Sequence, residues 1–421
     1  MSSLFIHDAI IVTQNSAREV LRGNILVRDG KIESVGKEHM DADSTVEAGG
    51  KIAIPGLINT HCHVAMTHLR GKLDDISLEK FLERTFKLDS ERSNAGIYNS
   101  SLLGMYEMLD SGITSFVDLY YSEEVIAKAV RESGIRGFLS WVTLDEDKTT
   151  QKGSPLKNAE KFISNFRNDE LVIPSVGIQG VYAAGDEVYL GAKELAEKKD
   201  TIIHGHLAET REEVYNFLNQ HNGVRPTEHL EKIGFLNPRF LAAHGVWNTL
   251  HEVRLMGKNG VKLSWNPVSN AKLGIGGMAP VPEYLANGVS VSIGSDSCGS
   301  NNTQDVFQGM KFGSIWVKSD RWNPAITNAQ AILDMATVNA AASLNRPDLG
   351  SLEPGKSADI VLLDTRTPRL MLTDEITAVS NIVYSADASC VSDVIVNGRL
   401  IKSDGHLAKF NSKDFQDAEF V

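Results

Sequence analysis

Residues 55–63 of the chain are Pro55-Gly56-Leu57-Ile58-Asn59-Thr60-His61-Cys62-His63. The mostly apolar or small run before the histidines predicts a buried β-strand. On a strand, residues i and i+2 point to the same face, so His61 and His63 would direct two imidazole rings at one point. Neutral imidazole is a favoured ligand of zinc and related transition metals. Because His-x-His alone is a short pattern, a metal site requires further ligands elsewhere in the chain.

The composition is that of an ordinary soluble globular protein, and it narrows the range of partners. The 421 residues are 42% hydrophobic and 23% charged, with a formal net charge of -12. Phosphate binding needs concentrated Lys and Arg, so we expect no nucleic-acid partner. There is neither a run of 18 apolar residues nor a basic segment leading into an apolar one, so we expect no membrane span and no signal peptide. Three widely separated cysteines fit a reducing, cytoplasmic location.

Strand-like segments at both ends of the chain predict one small composite domain. Near the N-terminus these segments cover residues 9–13, 24–28 and 31–35, and Asp29-Gly30 between the last two is a strong hairpin signal. Near the C-terminus they cover residues 359–363 and 391–399. Neither end is long enough to build a good core alone. We therefore expect residues 1–54 and 346–421 to form a β-sandwich domain together.

Residues 55–345 alternate between strand-like and helix-like segments, for example a strand over 113–121 and a helix over 123–133. Repeated βα alternation with apolar strands predicts a parallel sheet, and eight such units predict a closed (β/α)8 TIM-like barrel. The eight predicted strands cover residues 52–64, 113–121, 135–144, 171–183, 201–207, 240–246, 261–265 and 289–294. In such barrels the catalytic groups lie at the carboxyl ends of the strands.

Polar residues occur at those strand ends. The fifth strand ends with His206, and Glu209 follows it; His244 ends the sixth strand and Asp296 follows the eighth. His204 shares a face with His206 but lies deeper, so we favour His206 as a metal ligand and His204 as a packing or supporting residue. Any one of these residues alone is better explained as a solvated polar group. Because these residues and the pair His61 and His63 all fall at strand ends, the sequence predicts a metal site on one rim of the barrel.

The residue types indicate hydrolytic chemistry. A Zn²⁺-type ion with an open position lowers the pKa of bound water from about 15.7 towards roughly 7. Asp296 can touch the metal and accept the water's proton, and Glu209 is free to carry a proton to a ring nitrogen and then to a leaving group. His244 could hold the attacking hydroxide or polarise a substituent of the reacting carbon. The fourth strand contains no lysine to bridge two ions, so we expect one metal ion.

The chain resembles the amidohydrolase superfamily from end to end, and within it the branch of 5-methylthioadenosine/S-adenosylhomocysteine deaminases and their triazine-hydrolase relatives. The resemblance implies that His61, His63, His206 and Asp296 bind the metal and that Glu209 and His244 are catalytic. The motifs that carry it are residues 55–63 with Arg70-Gly71, His206-Leu207-Ala208-Glu209-Thr210, Asn266-Pro267-Val268-Ser269-Asn270 with Lys272-Leu273, Gly294-Ser295-Asp296-Ser297 with Ser300-Asn301-Asn302, and Gly350-Ser351-Leu352-Glu353-Pro354-Gly355-Lys356-Ser357-Ala358-Asp359.

Substrate contacts are inferred from the same resemblance. Glu91 occupies the place of a glutamate that binds ribose hydroxyls in nucleoside deaminases of this branch, although a helix-start glutamate is the alternative. Gln179 replaces a histidine that relatives usually carry after the fourth strand, and Trp265 replaces another before Asn266. Arg136 is a weaker candidate for substrate contact, the alternative being a solvated arginine at a strand start. The two replacements bear on the substrate more than on the reaction.

The predicted function is a deaminase with one divalent transition-metal ion per chain, Zn²⁺ first and Fe²⁺ or Mn²⁺ as alternatives. It would replace the exocyclic amino group of an adenosine-type nucleoside, such as 5-methylthioadenosine or S-adenosylhomocysteine, by water and release ammonia. Two alternatives stay open: a deaminase or chlorohydrolase of another heterocycle (free purine base, pterin or triazine), and an inactive barrel that acts as a binding protein. The sequence leaves the oligomeric state open, a homo-oligomer included.

Overall fold

The computed structural model describes residues 3–90, 92–149 and 151–421. The chain starts with five strands of a sheet outside the barrel: β1 (Ser3–Val12), β2 (Val20–Arg28), β3 (Lys31–Gly36), β4 (Ser44–Glu47) and β5 (Lys51–Pro55). β2 and β3 pair as the antiparallel hairpin predicted from Asp29-Gly30. Both turn residues have positive φ, 49° and 78°, which is the conformation that an Asp-Gly hairpin turn favours.

Eight parallel strands within the described residues form a nearly closed barrel, which confirms the predicted fold class. In order around the barrel they are β6 (Leu57–Cys62), β7 (Ile113–Tyr120), β8 (Arg136–Thr143), β9 (Val172–Ile178), β10 (Ile203–Leu207), β11 (Phe240–His244), β12 (Lys262–Trp265) and β13 (Val291–Ile293). The barrel closes where the backbone N–H of Asp296 donates to the carbonyl oxygen of His61 over 2.9 Å. Two predicted metal ligands therefore lie on the closing seam.

Helices connect the barrel strands and continue beyond the last of them. The helix predicted over residues 123–133 is present with those bounds as α3. No helix in the described part of the chain is long and apolar enough to cross a membrane. The α-helices are α1 (Leu78–Ser90), α2 (Asn94–Asp110), α3 (Glu123–Ser133), α4 (Pro155–Phe166), α5 (Asp186–Lys199), α6 (Arg211–Gln220), α7 (Pro226–Lys232), α8 (Leu250–Lys258), α9 (Pro267–Lys272), α10 (Val281–Ala286), α11 (Val306–Asp320), α12 (Ala329–Ala336), α13 (Val338–Ser343) and α14 (Ala378–Tyr384).

After the barrel the chain returns to the first sheet. The strands β14 (Ile360–Asp364), β15 (Val391–Val396), β16 (Arg399–Ser403) and β17 (His406–Leu407) extend that sheet to nine described strands, and β14 pairs antiparallel with β5. The strand predicted over 391–399 is instead two strands, because Asn397 and Gly398 (φ 49° and 75°) form a tight turn between β15 and β16. The domain limits at residues 54/55 and 345/346 stay a prediction.

Gly56 lies where the chain passes from the terminal sheet into the barrel. β5 ends at Pro55 and β6 begins at Leu57, so the single strand predicted over 52–64 is two strands in two sheets. A methyl group at Gly56 would lie 2.1 Å from the Oγ1 of Thr114, which leaves no room for a side chain. From this crossing β6 runs to Cys62, so His61 near its end and His63 directly after it lie at the carboxyl end of the barrel.

Candidate active site

The polar residues predicted at the strand ends come together at the carboxyl end of the barrel. His61 lies on β6 and His63 directly after it, His206 lies on β10, and Asp296 follows β13. The Nε2 atoms of His61 and His63 are 3.7 and 3.6 Å from Oδ1 of Asp296. The Nε2 atoms of His63 and His206 are 3.3 Å apart. Potential ligand atoms of His61, His63 and Asp296 all lie within 4.8 Å of one another.

Hydrogen bonds at Nδ1 orient these three imidazole rings. His63 Nδ1 donates to the carbonyl oxygen of Leu119 over 2.8 Å, and His206 Nδ1 donates to that of Gln179 over 2.6 Å. His61 Nδ1 instead lies 2.8 Å from Nε2 of His204. A proton on Nδ1 leaves the Nε2 lone pair of each ring free to bind a metal ion.

The charge state of the histidines also suits a metal ion. Burial, followed by the charges of neighbouring histidines, holds the pKa of His61 well below its ordinary value. Burial and the charge of His63 lower the pKa of His206 to about 4. Both rings are therefore neutral at pH 7, which is the form that binds a metal. Nε2 of His61 is buried and has no hydrogen-bond partner among the described residues. The donor set fits a divalent transition metal.

His244 lies beside this group with the opposite arrangement of its ring nitrogens. The side-chain amides of Asn270 and Asn266 donate to its Nδ1 over 2.9 and 3.2 Å. Nδ1 is therefore the acceptor, and the neutral ring carries its proton on Nε2. That Nε2 is 3.8 Å from Oε2 of Glu209. His244 thus presents an N–H group rather than a lone pair, which separates it from the three other histidines.

Asp296 is held in a conformation that few residues other than glycine adopt. Its φ is +64°, and Ala208 (+51°) and His244 (+75°) at neighbouring strand ends are also left-handed. Ser269 and Ser300 donate to Oδ2 of Asp296 over 2.5 and 3.1 Å. Such backbone conformations cost about 1–3 kcal/mol each and concentrate at functional sites. The bond from its backbone N–H to the carbonyl oxygen of His61 holds the backbone at Asp296, and the two serine hydroxyls hold its carboxylate.

Glu209 lies on the loop after β10, with its side chain 19% exposed. The carboxylate of Glu213, in the first turn of α6, accepts the N–H groups of Glu209 and Ala208 over 2.7 and 3.0 Å and so fixes this loop. Burial, and then the negative charges of Asp296 and Glu213, raise the pKa of Glu209 well above its ordinary value. A carboxyl group of this kind can hold a proton at neutral pH and donate it.

The other predicted site residues lie in three different places. Gln179 is at the carboxyl end of β9, where its carbonyl orients His206 and its Nε2 donates to the hydroxyl of Tyr182 over 2.8 Å. Arg136 is at the opposite end of the barrel, at the start of β8, and is buried in an ion pair with Asp359. Its guanidinium has no part in a pocket at the rim. Glu91 lies outside the described residues, so its predicted ribose contact stays a prediction.

Trp265 also faces away from the site. On β12, Ser264 points inward to Thr60, whereas the next residue, Trp265, is fully buried on the outer face. A methyl group on Gly313 of α11 would lie 2.6 Å from the Trp265 ring, which shows how closely the two are packed. We expected the replacement of a histidine by Trp265 to change the lining of the pocket. It changes the packing of α11 against the barrel instead.

Sequence reasoning assigned no role to several residues that complete the site. Asn266, Ser269 and Asn270 belong to a motif that carries the family resemblance, and they orient His244 and Asp296 as described above. Asp89 was not singled out at all. It is buried at the end of α1, next to the Tyr120 hydroxyl and 3.6 Å from Nη1 of Arg92. Burial raises the pKa of Asp89, whereas the hydrogen bond from Tyr120 and the charges of Arg92 and His63 lower it.

Comparison with known proteins places the chain in a family. The amidohydrolase family model matches residues 52–401. A 5′-deoxyadenosine deaminase of Methanothermobacter thermautotrophicus is 37% identical over 94% of this chain and 92% of its own length. A 5-methylthioadenosine/S-adenosylhomocysteine deaminase of Thermodesulfovibrio yellowstonii is also 37% identical, with the same coverage. The crystal structure of an adenosine deaminase from Xanthomonas campestris with bound zinc superimposes with a TM-score of 0.94, at 27% identity, over 98% of this chain and 96% of the other.

The chain belongs to the amidohydrolase family. It is a hydrolase of carbon–nitrogen bonds other than peptide bonds, of the type that deaminates cyclic amidines.

Proposed function

We propose that the protein is a metal-dependent deaminase of adenosine-type nucleosides, with 5-methylthioadenosine, S-adenosylhomocysteine and 5′-deoxyadenosine as the leading substrates. The observation that carries the proposal is the division of roles among the histidines. His61, His63 and His206 offer Nε2 lone pairs beside Asp296, whereas His244 offers an N–H group beside Glu209. Relatives at 37% identity bear the names of two such deaminases.

His61, His63, His206 and Asp296 would hold one divalent ion, Zn²⁺ being the first choice for three imidazoles and a carboxylate. Such an ion, when bound, would lower the pKa of a bound water molecule to roughly 7 and so make that water a nucleophile. The two protons of the attacking water end on the ring nitrogen and on the amino group, which leaves as ammonia while its carbon becomes a carbonyl. Glu209 donates its proton to the ring nitrogen, and Asp296 takes one proton from the water and passes it to the amino group as that group leaves. The second water proton, released when the carbonyl forms, returns Glu209 to its protonated form. The Nε2–H group of His244 donates a hydrogen bond to the attacking oxygen.

The metal site predicts about one transition-metal ion per purified chain. His61→Asn and His63→Asn should each reduce the bound metal strongly, because each removes one of four ligands. Cys62→Ser is the matched control, since Cys62 lies between the two histidines but contacts Asp118 on the outer face of the strand. Metal content is measured by mass spectrometry after expression in zinc-supplemented medium. A wild-type protein without metal would refute the proposed mechanism.

The sugar end of the substrate is proposed to lie at the connection between α1 and α2. Glu91 is in this connection, and the buried Asp89 carboxylate precedes it by two residues. A carboxylate that accepts hydrogen bonds from sugar hydroxyls contributes about 1.5–3 kcal/mol per charged hydrogen bond. The two carboxylates are thus separate candidates for the same contact.

Ammonia release from a panel of 5′-modified adenosines, free bases, pterins and triazines tests the substrate class. We expect nucleosides to be deaminated with the highest kcat/KM. Asp89→Asn and Glu91→Gln, made separately, should identify the carboxylate that binds ribose by a loss of about 10- to 100-fold on nucleosides but not on free adenine. Equal losses on nucleosides and bases would remove that residue from the sugar site. Preference for a pterin or a triazine would overturn the nucleoside proposal.

A further inference from the structure

The three ligand histidines differ in what orients them. The Nδ1 partners of His63 and His206 are backbone carbonyl oxygens, of Leu119 and Gln179, at the ends of neighbouring strands. A backbone carbonyl is present whatever side chain residues 119 and 179 carry, so these two hydrogen bonds do not depend on a particular side chain. His61 is fully buried inside the barrel, and the partner of its Nδ1 is the side chain of His204. Among these three rings, His61 alone relies on a side chain for its orientation.

The hydrogen bonds of His204 determine which of its own nitrogens carries the proton. Its Nδ1 is 2.9 Å from the carbonyl oxygen of Leu241, which can only accept a hydrogen bond. The neutral His204 ring must therefore carry its proton on Nδ1, and its Nε2 is an acceptor. Nε2 of His204 is in turn 2.8 Å from Nδ1 of His61. That acceptor requires the proton of His61 to be on Nδ1.

The chain of hydrogen bonds ends at the metal site. With its proton on Nδ1, His61 has a lone pair on Nε2, and this is the buried atom that has no partner among the described residues. The opposite tautomer of His61 would direct an N–H group at the metal and would leave two nitrogen lone pairs facing each other across 2.8 Å. An imidazole must present a lone pair to bind a metal ion, so only one tautomer of His61 is competent.

We propose that His204 is a positioning residue that sets the tautomer of His61, through the carbonyl of Leu241, and thereby prepares the deepest ligand of the metal site. This inference rests on the metal site of the proposed function. It assigns His204 a task that packing alone would not require: the residue must donate on one side and accept on the other. Partners of this kind typically change metal affinity by about 10- to 100-fold when removed.

Two substitutions at position 204 distinguish this task from packing. His204→Phe keeps a ring of similar size but can neither donate nor accept, so we expect zinc affinity, measured by competition with a chromophoric chelator, to fall about 10- to 100-fold. His204→Gln keeps an amide that can accept from His61 Nδ1–H and donate to Leu241, and should recover most of the affinity. Ser140→Ala is the matched control, since it breaks a buried hydrogen bond to Ser175 inside the same barrel, away from the histidines.

Nitrogen NMR of the metal-free protein, with ¹⁵N-labelled histidine rings, gives a readout that does not depend on metal or on folding of a variant. We expect both His61 and His204 to be protonated on Nδ1 in the wild-type protein. A His61 ring protonated on Nε2, or His204→Phe with wild-type zinc affinity, would overturn the inference. Failure of the wild-type protein to bind zinc would instead overturn the proposed function. If His204→Phe does not fold, His204→Gln and the wild-type spectrum decide the question.

Discussion

Glu209→Gln should lower kcat by about 10²–10⁴-fold, the usual contribution of a positioned proton carrier, while zinc content stays at the wild-type level. Glutamine has nearly the shape of glutamate, but its amide N–H group is far too weak an acid to transfer a proton to a ring nitrogen. The raised pKa of Glu209, caused first by burial and then by the charges of Asp296 and Glu213, keeps a proton available for this step. Ammonia release and metal content are measured on the same preparation.

Glu212→Gln provides the matched control for this substitution. Glu212 is exposed in the first turn of α6, three residues from Glu209, and the same change in charge there should leave kcat within about twofold of wild type, because exposed charges have small effects. A fully active Glu209→Gln variant would show that Glu209 does not transfer protons in the reaction. Loss of metal from that variant would instead indicate that Glu209 is a metal ligand.

Arg136→Met should destabilise the protein by about 3–5 kcal/mol, because removal of one partner of a buried ion pair leaves the other charge buried and unpaired. The side chains of Arg136 and Asp359 are only 2% and 5% exposed, and the pair joins the start of β8 to the segment that leads into β14. Asp359 also accepts the N–H of Asn397 over 2.8 Å. The variant is compared with wild type by thermal and urea unfolding.

Arg131→Met is the control for this effect, since Arg131 is 56% exposed and its pair with Asp169 should contribute only about 0–1 kcal/mol. We expect Arg136→Met to keep a wild-type KM for nucleosides below its unfolding temperature. A stable Arg136→Met variant with a raised KM would restore the substrate contact that the sequence suggested and contradict the structural role.

The arrangement of the site was predictable to the extent that it follows from strand parity and strand ends. Two sequence features were enough to predict that these residues lie together. One is the i, i+2 spacing of His61 and His63, and the other is the location of His206, His244 and Asp296 at strand ends. The same rules, applied more strictly, also explain two misplaced residues. Arg136 starts its strand and so belongs to the far end of the barrel, and Trp265 alternates with the inward-facing Ser264.

Other features depend on contacts that no local pattern encodes. The tautomers of His61 and His244 are set by His204 and by Asn270, which are far away in sequence. The Tyr120 hydroxyl donates a hydrogen bond to Asp89, which is 31 residues earlier in the chain. The Asn397-Gly398 turn, in contrast, carried a clear hairpin signal that the β-rich run around it obscured.

The pairing of β5 with β14 has a consequence for synthesis of the chain. The edge of β5 that β14 will cover stays without its partner until about 300 further residues have been made, which takes about 15–60 s at 5–20 residues per second. During that time an apolar strand, fully buried in the finished protein, presents free N–H and C=O groups to other nascent chains. Chains truncated before residue 360 should therefore be bound by chaperones on the ribosome, and release should coincide with the emergence of β14.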